Sequence, residues 1–155
     1  MIIKERRKAR LRVLQFLYAY EMSGNTPEQI FNDPIWNEPF EGKAKEFYEE
    51  LINKTIKNKN EFDELIKEKS KNWEFDRITI IDKLILRQAI CEFLYFQDIP
   101  PKVTIDEAIE ISKLFSTDKS SKFINGILDS AFFDLRKQGK IFKEERGLIN
   151  DKSKR

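Results

Sequence analysis

Apolar residues recur every three to four positions along most of the chain, which is the period of an amphipathic α-helix. The first three stripes predict helices over 4–22, from 44 to 56, and from 62 up to Trp73. Their apolar positions are Ala9, Val13, Phe16, Leu17 and Tyr20, then Ala44, Phe47, Tyr48, Leu51, Ile52, Thr55 and Ile56, then Phe62, Leu65 and Ile66. The N-terminal half is therefore expected to be helical.

Residues 80–96 differ because apolar side chains lie on nearly every side of the predicted helix. A helix that is apolar all round is buried at the centre of a fold. The segment is too long for an ordinary strand despite its β-branched residues. We expect Asp76 to cap its N-terminus and Pro100-Pro101 to end it.

Two more helices are predicted near the C-terminus. Thr104 and Glu107 have the spacing of a capping box, with Thr104 as the N-cap of a helix. After the polar break 116–119, a last apolar stripe continues through Ile124, Leu128 and Leu135. Asn125-Gly126 lies inside this unbroken period, so it does not indicate a hairpin, and we expect Gly126 to permit a close helix–helix approach.

The segment 24–43 contains three of the five prolines and is predicted to be a long connection. Within it, Thr26-Pro27 has the pattern of a helix N-cap followed by proline at the first helical position. The fold class expected is all-α, a compact bundle of five long helices plus short ones. We expect one helical domain over 1–135 and a basic tail over 136–155, whose order the sequence leaves open.

Composition excludes several kinds of chemistry. The chain has no histidine and one cysteine, so it has no Ser-His-Asp or Cys-His catalytic set, no histidine metal ligand and no internal disulfide. It has no glycine-rich phosphate-binding loop. We therefore expect a protein that is not an enzyme and that uses no cofactor or metal. No signal peptide or membrane span is apparent, which favours a soluble, cytoplasmic protein.

The net charge of +2 conceals an uneven distribution. Residues 4–12 and 136–155 each sum to +5, and the body between them sums to −8. A basic arm on an acidic scaffold is typical of nucleic-acid binding. For the tail, a solvated surface with no partner is the simpler alternative.

Two segments are candidates for RNA contact. Arg6, Arg7 and Arg10 lie close together on the first helix, where cations oppose the helix dipole and so do not stabilise the helix itself. The segment 120–126 combines hydroxyls, Lys122 and Phe123 at a predicted helix start. The alternative for this second segment is a capping serine with Phe123 in the core.

The chain resembles the NusB family of transcription antitermination and ribosomal-RNA processing factors. The resemblance rests on RRKAR from residue 6 with QFLY from residue 15, ILRQAICE from residue 85 after the region of Trp73, IPPKVTIDEAIE from residue 99 and KFINGILD from residue 122. It implies a fold of two packed helical sub-bundles. It also implies binding of boxA-type single-stranded RNA together with NusE, a small-subunit ribosomal protein, and an indirect association with RNA polymerase.

The resemblance also implies which residues make these contacts. The RNA-binding positions would be Arg6, Arg7, Arg10, Gln15, Tyr18, Lys122 and Phe123, and we add Lys119 to this set on its charge. The NusE-facing positions would be Asp76, Asp82 and Arg87. Many relatives carry an acid where this chain has Lys119, a change that favours phosphate attraction.

Other interpretations stay open at this point. A related helical module occurs in ribosomal-RNA cytosine methyltransferases, so a stand-alone RNA-binding module with no antitermination role is one alternative. A helical scaffold that only self-associates is another. No apolar stripe in the sequence shows whether the free chain is a monomer or a homodimer.

Overall fold

The computed structural model describes the backbone of residues 2–36 and 40–143, and the side chains of these residues except 2, 3, 72 and 73. Within these ranges every regular element is a helix, which confirms the all-α prediction. The described residues form two compact units, within Met1–Lys57 and Asn58–Arg155. Residues 144–155 of the expected tail and the side chain of Trp73 lie outside this description.

The first unit is built around helix α1 (Ile2–Ser23), which packs against α3 (Gly42–Lys57). Between them come the short α2 (Pro27–Phe31) and a 3₁₀ turn (Pro34–Trp36). The ring of Phe16 is fully buried, 4.5 Å from the centroid of Phe31 and 5.6 Å from that of Trp36. Residues 24–36 of the connection are therefore anchored to α1 by aromatic packing.

The predicted cap at Thr26-Pro27 is confirmed. The Thr26 hydroxyl accepts a hydrogen bond from the Gln29 backbone N–H at 3.1 Å, and Gln29 Oε1 accepts one from the Thr26 N–H at 2.8 Å. These two bonds form a capping box that satisfies N–H groups left free at the start of α2.

The second unit surrounds α6 (Ile80–Tyr95). Its other helices are α4 (Lys59–Ser70), α5 (Asn72–Phe75), α7 (Pro101–Phe115) and α8 (Asp118–Lys137). Helix α6 contacts α4, α7 and α8, and every residue from Leu84 to Phe93 is buried. The prediction of a central helix is confirmed, because packing on several sides leaves α6 no solvent face.

Two buried charged residues of this core, Arg87 and Glu92, have hydrogen-bond partners. Arg87 binds Asp63 through both carboxylate oxygens, at 2.7 and 3.1 Å. Glu92, 2% exposed, accepts a hydrogen bond from the Thr104 hydroxyl at 2.9 Å. Such partners are required because an unpaired buried charge is strongly unfavourable.

Two predicted N-caps are wrong. Helix α6 is capped by Thr79, whose hydroxyl accepts a hydrogen bond from the Asp82 N–H at 3.2 Å, and not by Asp76. Helix α7 already begins at Pro101, so Thr104 lies inside it. Proline fits the first helical position, and the Thr104 hydroxyl is engaged by Glu92 instead of a backbone N–H. The two prolines therefore start α7, while α6 ends earlier, at Tyr95.

The role predicted for Gly126 is also wrong. It lies inside α8, as the helical period indicated, but it is exposed. A Cβ atom added at this position meets no described atom within 4 Å, so no neighbouring helix requires a glycine there.

The first part of the expected tail is folded onto the second unit. Helix α8 ends in a Schellman motif, with Gly139 at φ 75° and the Lys140 N–H donating to the Leu135 carbonyl at 2.9 Å. Beyond it, Ile141 is 1% exposed and Lys143 is 7% exposed. Lys143 Nζ donates to the Glu92 carbonyl at 2.9 Å, so the segment docks at the C-terminal end of α6.

This burial predicts a pH effect. Desolvation lowers the pKa of Lys143 from 10.5 to about 8, opposed by the carboxylates of Glu92 and Asp98. Between these two pKa values the unfolded chain binds the proton and the folded chain does not, so stability rises with pH. From about pH 7.5 to pH 10, we expect the wild type to gain roughly 1–2 kcal/mol relative to Lys143→Met. Urea denaturation of both proteins at each pH measures this gain, and an equal difference at both pH values contradicts it.

Candidate nucleic-acid interface

The exposed side of α1 is basic in its first half and amphipathic in its second. Lys4, Arg7 and Lys8 are exposed near the N-terminus, and Gln15 and Tyr18 are exposed further along. Cations suit phosphate groups, and a tyrosine that is 41% exposed offers a ring face for base stacking. The structure therefore places three of the five predicted α1 residues, Arg7, Gln15 and Tyr18, at the surface.

The other two predicted arginines of α1 pack on an aromatic ring. The guanidinium carbon of Arg6 lies 4.7 Å from the centroid of Phe47, and that of Arg10 lies 5.2 Å from it. Arg6 is half-buried, whereas Arg10 is 4% exposed. Cation–π stacking stabilises this packing. Direct phosphate contact does not fit the burial of Arg10, which instead joins α1 to α3.

Arg12 is a residue of this surface that the sequence did not single out. Its guanidinium lies 4.5 Å from the Trp36 ring and donates to the Ile35 carbonyl at 3.1 Å. It also donates to Gln15 Oε1 at 2.9 Å, which orients that amide. The positive charge of residues 4–12 was visible in the sequence, but the contact with the 3₁₀ turn was not.

The second candidate surface is the start of α8, in the other unit. Thr117 is the N-cap, and its hydroxyl accepts a hydrogen bond from the Ser120 N–H at 3.1 Å. Lys119 and Lys122 are exposed, and Phe123 is half-buried, so part of its ring is accessible. The predicted lysines are thus available to an anion, and the capping residue is Thr117 instead of a serine.

A hydroxyl–carboxylate network fixes this start of α8. Asp82 accepts hydrogen bonds from Ser116 Oγ at 3.0 Å and from Ser120 Oγ at 2.8 Å. The hydroxyls of Ser112 and Ser121 are 2.7 Å apart. These bonds join α6 and α7 to the first turn of α8, so they fix the backbone that carries Lys119 and Lys122.

The predicted partner-facing residues occupy different environments. Asp82 is 5% exposed and Arg87 is 4% exposed, and both are bonded inside the second unit. A contact of either side chain with another protein does not fit this burial. Asp76 is exposed next to the end of α5 and is available to a partner.

The model of the NusB family matches residues 7–132, which include the start of α8 and all of the α1 surface except Lys4 and Arg6. The chain belongs to the NusB family. The "Transcription antitermination protein NusB" of Chloroherpeton thalassium is 43% identical over 158 aligned positions, which cover 96% of this chain and 71% of that relative. The resemblance predicted from the sequence is confirmed.

Solved structures agree with the NusB fold. T. maritima NusB is 40% identical, with a TM-score of 0.75 over 82% of this chain and 89% of the other. A chain from a crystal structure of the antitermination factors NusB and NusE in complex with dsRNA has a TM-score of 0.74 at 21% identity, covering 84% of this chain and 98% of that one. At this identity the second likeness establishes the fold alone.

Two kinds of feature are absent from the part of the chain that the structure describes. None of its helices combines the length and apolar character needed to cross a bilayer. The same residues contain no group of three carboxylate or thiol side chains arranged to hold a metal ion.

Proposed function

We propose that this NusB-family chain is a transcription antitermination factor that binds boxA-type RNA together with NusE and supports ribosomal-RNA transcription and processing. The observation that carries the proposal is the exposure of cationic side chains at two places within the range that the family model matches, Arg7 on α1 and Lys119 and Lys122 on α8. Relatives that carry the antitermination name, and a structural neighbour solved with NusE and dsRNA, support it.

Each surface has a distinct part in the proposal. Arg6 and Arg7 bind phosphates from α1, while Gln15 and Tyr18 contact bases. Lys119 and Lys122 bind phosphates at α8, and the accessible part of Phe123 stacks on a base. Arg10 contributes by holding α1 against Phe47.

The protein partner is basic, as ribosomal proteins are, and the −8 body of the chain complements it. Asp76 is the exposed one of the three predicted partner residues and contacts NusE in this proposal. Asp82 and Arg87 act from inside the second unit by holding its helices in place. The chain works without catalysis, in the cytoplasm, and reaches RNA polymerase through NusE and RNA.

Sedimentation of the chain alone, with NusE, and with NusE and boxA RNA tests the proposal. We expect one ternary species that contains all three components, and weaker retention of an RNA of the same length with a scrambled boxA. If both RNAs sediment with the two proteins to the same extent, the proposal of sequence-specific boxA binding is wrong. The sample without partners shows whether the free chain is a monomer or a homodimer.

A further inference from the structure

Packing among the residues that the structure describes does not explain the glycine at position 126. Helix α8 runs from Asp118 to Lys137, so Gly126 lies in its interior. Glycine is less favourable than alanine there because it loses more conformational entropy on folding. Its backbone is helical and requires no glycine, and an added Cβ meets no described atom within 4 Å. The position keeps its backbone bare on an exposed face.

Three of the four side chains one helical turn from this bare backbone are charged or polar, and the fourth is the half-buried Phe123. Lys122 and Ser130 are four residues before and after Gly126, so they stand on the same helix face. Both are exposed, as are Asn125 and Asp129. We call the space left by the missing side chain at Gly126 the gap. Lys119 extends the cationic side by a further turn. The gap is therefore continuous with the proposed RNA surface at the start of α8.

The charged side chains beside the gap indicate which class of ligand fits it. The two lysines attract phosphate. Because glycine has no Cβ, the backbone of a ligand can approach the helix more closely at position 126 than it could if any other residue stood there. Asp129 is the acid on this face, and a carboxylate accepts a hydrogen bond from a ribose 2′-hydroxyl, which DNA lacks. These groups fit a ribose–phosphate chain.

We propose that a sugar–phosphate segment of RNA packs directly on α8 at Gly126, with its phosphates on Lys119 and Lys122 and a ribose beside Asp129. The proposal rests on the proposed function. It adds a contact that only a ligand able to approach the α8 backbone closely at Gly126 can make. It makes Gly126 a specificity-determining residue, retained for binding at the expense of helix stability.

Gly126→Ala tests this proposal because its two effects have opposite signs. We expect the melting temperature to rise by about 2–4 °C, since alanine favours the helix. We expect the affinity of the chain with NusE for a single-stranded boxA RNA to fall about tenfold, since the methyl group occupies the approach. The slope of log K against log salt stays at the wild-type value because no charge is lost, whereas Lys122→Ala reduces its magnitude by about 0.7.

Asn53→Ala is the matched control. Asn53 is exposed in the interior of α3, so alanine stabilises that helix too, but RNA affinity is expected to stay at the wild-type level. If Gly126→Ala binds RNA as tightly as the wild type, the proposal is overturned and the proposed function stands. If it loses NusE and keeps RNA, a protein occupies the gap and the proposal is again overturned. If the wild type with NusE does not bind this RNA, both are overturned.

Discussion

Arg87→Ala is expected to lower the free energy of unfolding by about 3–5 kcal/mol. The Arg87 side chain is 5% exposed and binds both carboxylate oxygens of Asp63, whose side chain is 13% exposed. Removal of the guanidinium leaves the carboxylate buried without its cation and opens a void beside α6. Urea denaturation followed by circular dichroism measures the loss.

The double variant Arg87→Met with Asp63→Leu is the control for this effect. It replaces the ion pair by apolar side chains of similar volume, so it is expected to recover most of the lost stability. This recovery separates a structural arginine from one that contacts NusE. A single variant that keeps wild-type stability but loses NusE affinity would place Arg87 at the partner surface instead.

Arg7→Ala is expected to lower RNA affinity by about ten- to a hundredfold and to leave the melting temperature nearly unchanged. Arg7 is exposed, so its truncation removes a charged contact with phosphate and little packing. Arg10→Ala is expected to have the opposite pattern. Its side chain is buried against Phe47, so truncation costs about 1–3 kcal/mol of stability. Fluorescence anisotropy with labelled boxA RNA and thermal denaturation measure the two quantities.

Lys45→Ala is the control for net charge in this pair. Lys45 is exposed on α3 and belongs to neither candidate surface, so the variant removes one positive charge without removing a predicted contact. We expect it to weaken RNA binding less than twofold at a salt concentration of about 0.15 M, where distant exposed charges are screened. An effect as large as that of Arg7→Ala indicates that net charge, and not the position of Arg7, drives binding.

Local patterns predicted the helices well because each helix records its buried face in its own sequence. The stripe of α3 and the all-round apolar character of α6 reappear as buried residues. The capping box at Thr26 was predictable for the same reason, since its two partners are three residues apart.

Long-range partners account for what the sequence did not reveal. The buried state of Asp82 depends on Ser116 and Ser120, which lie 34 and 38 residues away. The burial of Arg10 depends on Phe47 of another helix. A charged residue on a helix has the same local pattern whether it faces solvent or a distant partner, so the pattern alone could not separate Arg7 from Arg10.

The position of Thr104 illustrates the same limit. Its spacing to Glu107 is that of a capping box, but Pro101 starts the helix earlier and Glu92 engages the hydroxyl. The choice between these arrangements depends on α6, which no local rule includes.

A titration of boxA RNA with the chain and NusE at several salt concentrations measures directly whether the exposed cations of this NusB-family chain bind RNA. If the two surfaces together contact about five phosphates, log K falls with log salt at a slope of roughly −3.5 for single-stranded RNA. A slope near zero would mean that RNA binding does not depend on these cations, and the proposed function would then be wrong.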